Sequence, residues 1–366
     1  LLAVAQRLRD AVDPADSIAR WSGDEFVILA EGRPSLDEAI DLADAVLNAL
    51  ERPVAVRGRE LFASVSIGVA VHHAHDDKTA DALLREADVA VHRAKARGKH
   101  RSVVYDLSMD ARAAERLELT LDLRRALDRS EFVPYYQPMV ALATGEVALR
   151  EALIRWRHPR RGVIPPGAFI PLAEDSHMIV PVGRWMLSQA CRDAQAWSAG
   201  CLDAPMVSVN LSARQVAQPD LATVVAEVLG ETGLDPSRLV LEITETTLME
   251  DIAATREMLI RLKDLGLCLA IDDFGTGYSS LAYLKELPVD FVKIDRSFIA
   301  GLARESHDAA IVAAIITVAH SLGLRVVAEG IEEPEQLALL RSLDCDLAQG
   351  FLLARPAPLK ASELVA

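Results

Sequence analysis

From about residue 147 the chain repeats one pattern, a short β-branched or apolar run followed by a longer stretch with helical spacing. The runs are VALREALIRW, MVSVNLS, RLVLEITET, LCLAIDDFG, FVKID, RVVAEG and CDLAQGF. Such spacing suits strand and crossover-helix units, and so predicts a parallel sheet. Nearly every run closes on a polar residue: Glu151, Asn210, Glu242, Asp272, Lys293, Glu329 and Gln349 fall at or near the carboxyl ends. In a (β/α)8 barrel those ends converge on one face, where active sites are built. The pattern therefore predicts an α/β chain with a TIM-type barrel and a site at its mouth.

A chain of 366 residues exceeds what one core usually serves, and its front part reads differently. LLAVAQRLRDAV has the spacing of an amphipathic helix, and SIARWSGDEFVILAEG that of a hairpin around residues 22–25. LDEAIDLADAVLNAL is a second helix, ASVSIGVAV a strand, and DALLREADVAVHRAKARGK a helix ended by Gly98. SMDARAAERLELTLDLRRALDR, starting at Ser108, carries apolar residues at three- and four-residue spacing among dense charges, the signature of a helical linker. The expected division is 1–106, a partial α/β domain; 107–130, the linker; and 131–366, the barrel. The chain starts on Leu1 in mid-pattern, so a fragment of a longer protein is expected.

About half the residues are hydrophobic and a quarter charged, a globular composition. The formal net charge of −15 argues against DNA, RNA or an anionic membrane surface as partner, and a small anionic ligand would need a local cation. The basic cluster Arg93, Lys95, Arg97, Lys99, His100 and Arg101 reads as a helix C-terminus with favourable charge. Cys191, Cys201, Cys268 and Cys345 form no CxxC pair, which indicates neither a zinc site nor a disulfide framework and suits a reducing compartment. AAIVAAIITVA, from Ala309, is too short to span a bilayer and reads as a buried helix. A cytoplasmic protein is expected, or one on the cytoplasmic face of the membrane if the complete protein has upstream transmembrane segments.

The adjacent carboxylates Asp272 and Asp273 need an explanation. Neighbouring side chains on a strand point to opposite faces, so both can face one ligand only if the strand has ended, and Gly275 and Gly277 supply that ending. Two such carboxylates about 4 Å apart repel by roughly 1 to 4 kcal/mol. With Glu242 and Glu151 added, either some protonate or a cation holds them ionised. An oxygen-rich set with one amide, Asn210, suits Mg²⁺ or Mn²⁺ better than zinc. Each residue alone has an ordinary structural explanation: a capped loop for DDFG, a surface ion pair for Glu151 or Lys293, a helix start for Glu242 with Glu245. GTG is not followed by the lysine and hydroxyl residue of a P-loop. Their joint occurrence at successive strand ends is what points to a site.

From about Val133 onward these residues carry a likeness. YYQP, EALIRWRHP, PPGAFIPLAE, VNLSARQ, LEITET, IDDFGTGYSSLAYLKELPVDFVKIDRSF, VVAEGIE and QGFLLARP occur in the order of the EAL family, and the chain resembles those cyclic di-GMP phosphodiesterases over nearly two thirds of its length. The resemblance implies a (β/α)8 barrel with an irregular first strand that hydrolyses cyclic di-GMP to linear pGpG with two Mg²⁺ or Mn²⁺, Ca²⁺ being inhibitory. It implies that Glu151, Asn210, Glu242 and Asp272 hold one metal, and that Asp272 bridges to a second joined by Asp273 and Glu329. Glu329 corresponds to the family's water-activating base, Lys293 to the residue holding the nucleophilic water or a phosphate oxygen, and Arg155 to a phosphate contact. Gln349 and, at lower rank, Gln137 line the pocket. In the family the loop after the Asp pair couples metal binding to dimerisation through the barrel domain, anchored by a Glu that Glu245 matches. One departure is AEGIEE, with Glu333 where Thr is usual.

The front part resembles the C-terminal half of a GGDEF domain through RWSGDEF, SVSIGVAV and ADVAVHRAKARGKHR. Its signature, Ser22, Gly23, Asp24, Glu25 and Phe26, has Ser at the first glycine. The strand and loop with a metal Asp and the guanine-reading residues would lie before Leu1, and DPAD at 13–16 lacks the arginine of the inhibitory RxxD. The resemblance thus implies an inactive or regulatory remnant, Asp24 and Glu25 being a structural hairpin tip, with GTP a candidate ligand at the GGDEF domain of the complete protein. The alternatives are a non-catalytic cyclic di-GMP receptor and a protein bifunctional in its complete form.

Overall fold

The computed structural model describes residues 1–32, 36–51, 53–56, 59–61, 64–72, 78–198, 204–275, 284–302 and 306–359. The chain divides into two compact units, Leu1–Glu118 and Leu119–Ala366. Among the described residues no helix is long and apolar enough to cross a membrane.

The first unit contains α1 (Leu2–Ala11), the hairpin β1 (Ser17–Ser22) and β2 (Glu25–Leu29), α2 (Leu36–Glu51), the short hairpin β3 (Val54–Val56) and β4 (Arg59–Leu61), β5 (Ser66–Val69), α3 (Ala80–Ala96) and β6 (Arg101–Val104). α3 starts where Thr79 accepts the Ala82 N–H and stops before Gly98, whose φ of +103° only glycine adopts without strain. Leu8, Val46 and Leu50 form one small core, and Ala90, Ala94 and Val103 another. β3, β4 and β6 had no sequence counterpart; β3 and β4, of three residues each, are too short to show alternation. The helix α4 (Leu107–Ala126) follows, as its apolar spacing predicts.

The second unit is an eight-stranded closed barrel. Its strands are β7 (Phe132–Ala141), β8 (Val147–His158), β10 (Met206–Leu211), β11 (Leu239–Thr244), β12 (Cys268–Phe274), β13 (Phe291–Ile294), β14 (Arg325–Ala328) and β15 (Leu347–Ala348), while β9 (Gly162–Ile164) extends β8 as a hairpin. β8 pairs β10, and β15 closes onto β7. The sheet is not wholly parallel as the repeating pattern predicted, since β7 runs antiparallel to both neighbours. Pro134 and Pro138 hid this strand, because proline argues against a central position.

Barrel interior positions fall in two layers. Met139, Leu149, Val240, Ala270, Phe291, Val327 and Leu347 form one buried apolar cluster. Two residues along each of these strands, on the same face, stand Gln137, Glu151, Glu242, Asp272, Lys293, Glu329 and Gln349. Ser208 breaks the lower layer, beneath Asn210. At the opposite end, the Asp290 carboxylate accepts from Leu269 N–H and Lys263 Nζ, both at 2.8 Å, and Asp346 likewise accepts from Val326 N–H at 2.8 Å and pairs His320 Nε2 at 2.9 Å. Each ties a strand start to the helix before its neighbour. The helix Ser306–Ser321, expected to be buried, is so on one side only: Val312, Ile316 and Ala319 are buried, and Ile311 is exposed. Among the described residues Cys191, Cys268 and Cys345 are free thiols, while Cys201 lies outside them.

Candidate active site

The polar layer gathers around one lysine. Lys293 is 1% exposed, and its Nζ lies 2.5 Å from Glu242 Oε2, 2.6 Å from Glu329 Oε1, 3.1 Å from Asp272 Oδ1 and 4.0 Å from Glu151 Oε2. Asn210 Nδ2 donates to Glu151 Oε1 at 2.7 Å, and Gln349 Nε2 donates to Glu151 Oε2 at 2.6 Å and to Gln137 Oε1 at 3.0 Å. Gln137 Nε2 in turn donates to the Ala354 carbonyl. Residues predicted from seven separate strand ends thus form one network of hydrogen bonds and ion pairs, its two halves joined through Lys293 and Glu151.

Asp272 and Asp273 reach the same side by a different route from the one expected. β12 does not end at the pair but continues to Phe274, and its register on β13 gains one residue between Ile271 and Phe274. That β-bulge places Asp273 at φ +55°, where the chain turns enough to bring both carboxylates round, and Asp273 N–H donates to Asp272 Oδ1 at 2.9 Å. Asp272, Asp273 and Glu329 then present oxygens within 4.8 Å of one another. Gly277, the other expected breaker, lies outside the described residues, as do residues 276–283.

Five carboxylates face one ammonium, a formal charge of −4 when all are ionised. Burial alone would pull Lys293 down, but Glu151, Glu242, Glu329 and Asp272 outweigh it and hold the ammonium charged. Burial pushes Glu242 well above the usual carboxylate range against the pull of Lys293, and pushes Glu329 up to about 8. Asp273 is raised by burial and by the Asp272 charge. Without a further cation this cluster keeps protons that isolated carboxylates would lose. The all-oxygen donor set fits hard divalent cations, two of which bring the matching +4.

At the rim, Glu245 begins the helix Glu245–Glu250 behind its cap Thr244, and its Oε2 accepts the Gly275 N–H at 2.9 Å. Gly275 has φ +99°, and a Cβ there would stand 2.7 Å from Phe298 Cε2. Arg155, four residues beyond Glu151 on β8, stacks 5.3 Å over Tyr135 and donates to the Ile154 carbonyl. In the first unit, Ser22 Oγ donates to Glu25 Oε2 at 3.0 Å and Arg20 donates to the Gly23 carbonyl, so the signature residues form a self-bonded hairpin turn.

Two contributors went unread in the sequence. Asp295 caps the helix Arg296–Ala300 by accepting the Ser297 N–H, and its charge helps to raise Asp273. The Asp-x-Ser spacing of a cap was its signal. Gln336 bonds to three backbone groups around the segment after Glu329; its bond to the Glu333 N–H is one arm of a capping box over Glu333–Gln336, and no local pattern announces its bond to the Ile299 carbonyl.

Residues 120–356 match the family described as EAL domain, and residues 1–101 match the diguanylate cyclase, GGDEF domain. The chain is 44% identical, over its whole length, to the bifunctional diguanylate cyclase/cyclic di-GMP phosphodiesterase MucR of Pseudomonas aeruginosa, covering 53% of that protein. It is 41% identical over 360 residues, 98% of this chain, to the cyclic di-GMP phosphodiesterase NbdA of the same organism, covering 46% of it. The chain spans about half the length of these curated relatives. Among solved structures, the PaMucR phosphodiesterase in its c-di-GMP complex is similar with a TM-score of 0.64 and 47% identity, over 68% of this chain and 99% of that one. The EAL enzyme Bd1971, in its cAMP- and cyclic-di-GMP-bound form, is similar with a TM-score of 0.66 and 31% identity, over 80% of this chain and 77% of that one. With its barrel, its carboxylate ring and these matches, the chain belongs to the EAL domain family, its EAL region preceded by a GGDEF region.

Proposed function

We propose that the barrel hydrolyses cyclic di-GMP to linear pGpG with two Mg²⁺ or Mn²⁺ ions. The observation that carries this is the carboxylate ring with Lys293 at its centre, in a chain whose relatives are named cyclic di-GMP phosphodiesterases. Glu151, Asn210, Glu242 and Asp272 are assigned to one ion, and Asp272, Asp273 and Glu329 to the other. Divalent cations held by these residues would supply charge against the phosphate and acidity to water for an in-line displacement. Glu329 takes the proton of the attacking water, a task suited to a carboxylate with a raised pKa. Lys293 offers fixed positive charge where negative charge develops on the phosphoryl oxygens. Arg155 holds a phosphate at the rim, with Gln349 and Gln137 along the pocket wall. The water's hydroxyl joins phosphorus, its proton ends on the released 3′ oxygen, and pGpG leaves.

On this reading the domains are 1–106, 107–130 and 131–366, the barrel pairs with a second copy through its loop anchored at Glu245, and the chain works in the cytoplasm. The GGDEF region regulates instead of synthesising. Incubation with cyclic di-GMP and Mg²⁺ should release pGpG; stoichiometric binding without product would replace the enzyme by a receptor. Adding GTP to this chain and to the complete protein tests the first unit, and formation of cyclic di-GMP would show a bifunctional protein.

A further inference from the structure

The segment 329–333 joins Glu329 to the helix Pro334–Ser342. It turns at Gly330, φ +71°, where Arg296 leaves no room for a Cβ. On the β15 side, Ile331 N–H donates to the Gln349 carbonyl at 3.1 Å, and the Ile331 carbonyl accepts the Leu352 N–H at 3.0 Å. On the β13 side the Glu329 N–H donates to the Ile294 carbonyl at 3.2 Å, and beyond that bond one buried side chain makes the connection. Gln336 Oε1 accepts the N–H groups of Glu332 and Glu333 at 2.9 and 3.0 Å, while its Nε2 donates to the Ile299 carbonyl at 3.0 Å. Ile299 belongs to the helix Arg296–Ala300, which directly follows the strand of Lys293.

Beyond that backbone bond, a single side-chain amide ties together the two segments that leave β13 and β14, at whose ends Lys293 and Glu329 meet at 2.6 Å. Among the common side chains this junction needs one that accepts twice at one end and donates at the other, within one planar group. Glu keeps the acceptor and loses the donor, setting an oxygen against the Ile299 carbonyl. Met fills the space and loses both.

We propose that Gln336 is a positioning residue for the hydrolysis: by tying residues 332 and 333 to Ile299, it fixes the Glu329 carboxylate against Lys293. The inference rests on the assignment of Glu329 as base. Steady-state hydrolysis of cyclic di-GMP in saturating Mg²⁺ tests it with Gln336→Glu and Gln336→Met, with Glu329→Gln as reference and Leu340→Ala as a core-packing control in the same helix. Displacing a base in a preorganised site should lower kcat by ~10- to 100-fold. KM should stay within about 2-fold, because ground-state contacts are untouched. Leu340→Ala should lower Tm at least as far while kcat per folded molecule is unchanged. If Gln336→Met does not fold, Gln336→Glu carries the test, since it keeps both acceptor bonds. Should Glu329→Gln hydrolyse at the parent rate, the base assignment fails and the positioning role with it. An inactive Glu329→Gln beside a Gln336→Glu of parent kcat, or one losing kcat no differently from Leu340→Ala, overturns the positioning role alone.

Discussion

Replacing Lys293 by Met removes the only cation within 4.0 Å of Glu242, Asp272 and Glu329 among the described residues, and leaves a side chain of similar length. At an effective dielectric of about 20, each of the contacts at 2.5–3.1 Å represents roughly 5 to 7 kcal/mol of gross attraction. Desolvation offsets most of that, and removing one partner from a buried ionic set costs about 3 to 5 kcal/mol net. For a unit of this size the loss should lower Tm by ~6 to 20 °C in chelator at pH 8. The sign with pH follows from linkage. Glu329 has a folded pKa of about 8 against an ordinary 4.5, so the folded state binds more protons between these values, and metal-free stability falls as pH rises through that window. Without Lys293 the fall should steepen, and the gap between variant and parent should shrink toward pH 5. Divalent cations should raise Tm more for the variant than for the parent, because they no longer meet a resident ammonium, even though turnover drops by about 10²- to 10³-fold. Thermal unfolding by circular dichroism, in chelator and in Mn²⁺ at pH 5 and 8, reads all three. An equal Tm loss at both pH values, or a weaker metal response in the variant, would refute the electrostatic account.

Asp272→Ala removes a ligand assigned to both ions, and calorimetric titration with Mn²⁺ should show both binding steps weakened by at least ~10-fold with turnover abolished. In Gly275→Ala, the new Cβ meets Phe298 at a φ of +99°, so about 1 to 3 kcal/mol of strain should appear as a lower Tm and a faster-exchanging amide at position 275. An unchanged Tm would mean that the turn readily relaxes. Ca²⁺ prefers more ligands at longer distance than Mg²⁺ does, so adding it to the Mg²⁺ enzyme should suppress pGpG release. Robust turnover in Ca²⁺ alone would exclude a tight two-metal geometry.

The barrel was legible because its strands are short, buried and closed by polar residues, and that ending is a one-dimensional signal. Glu151, Asn210, Glu242, Asp272, Lys293, Glu329 and Gln349 could be singled out with no knowledge of which strands adjoin. What stayed hidden depends on pairing. The bulge at Asp273 exists only as a register difference between β12 and β13, and a single strand read by itself must appear to stop there. β7 was masked by its prolines, and its antiparallel direction is a property of closure. The bond from Gln336 to Ile299 is invisible for the same reason, because Ile299 lies 37 residues away and comes beside it only in the folded chain. The anchor at Glu245 read locally as a helix start, which it also is.

The apolar layer beneath the polar ring separates two kinds of inheritance. Met139, Leu149, Val240, Ala270, Phe291, Val327 and Leu347 pack against one another as a buried apolar floor. Substitutions in the ring alter chemistry while the floor continues to hold the barrel closed, so a descendant can lose a ligand or the base and still fold. An ancestor with this construction can give rise to a sensor that grips the same nucleotide without cutting it, through a few changes confined to one storey of the barrel.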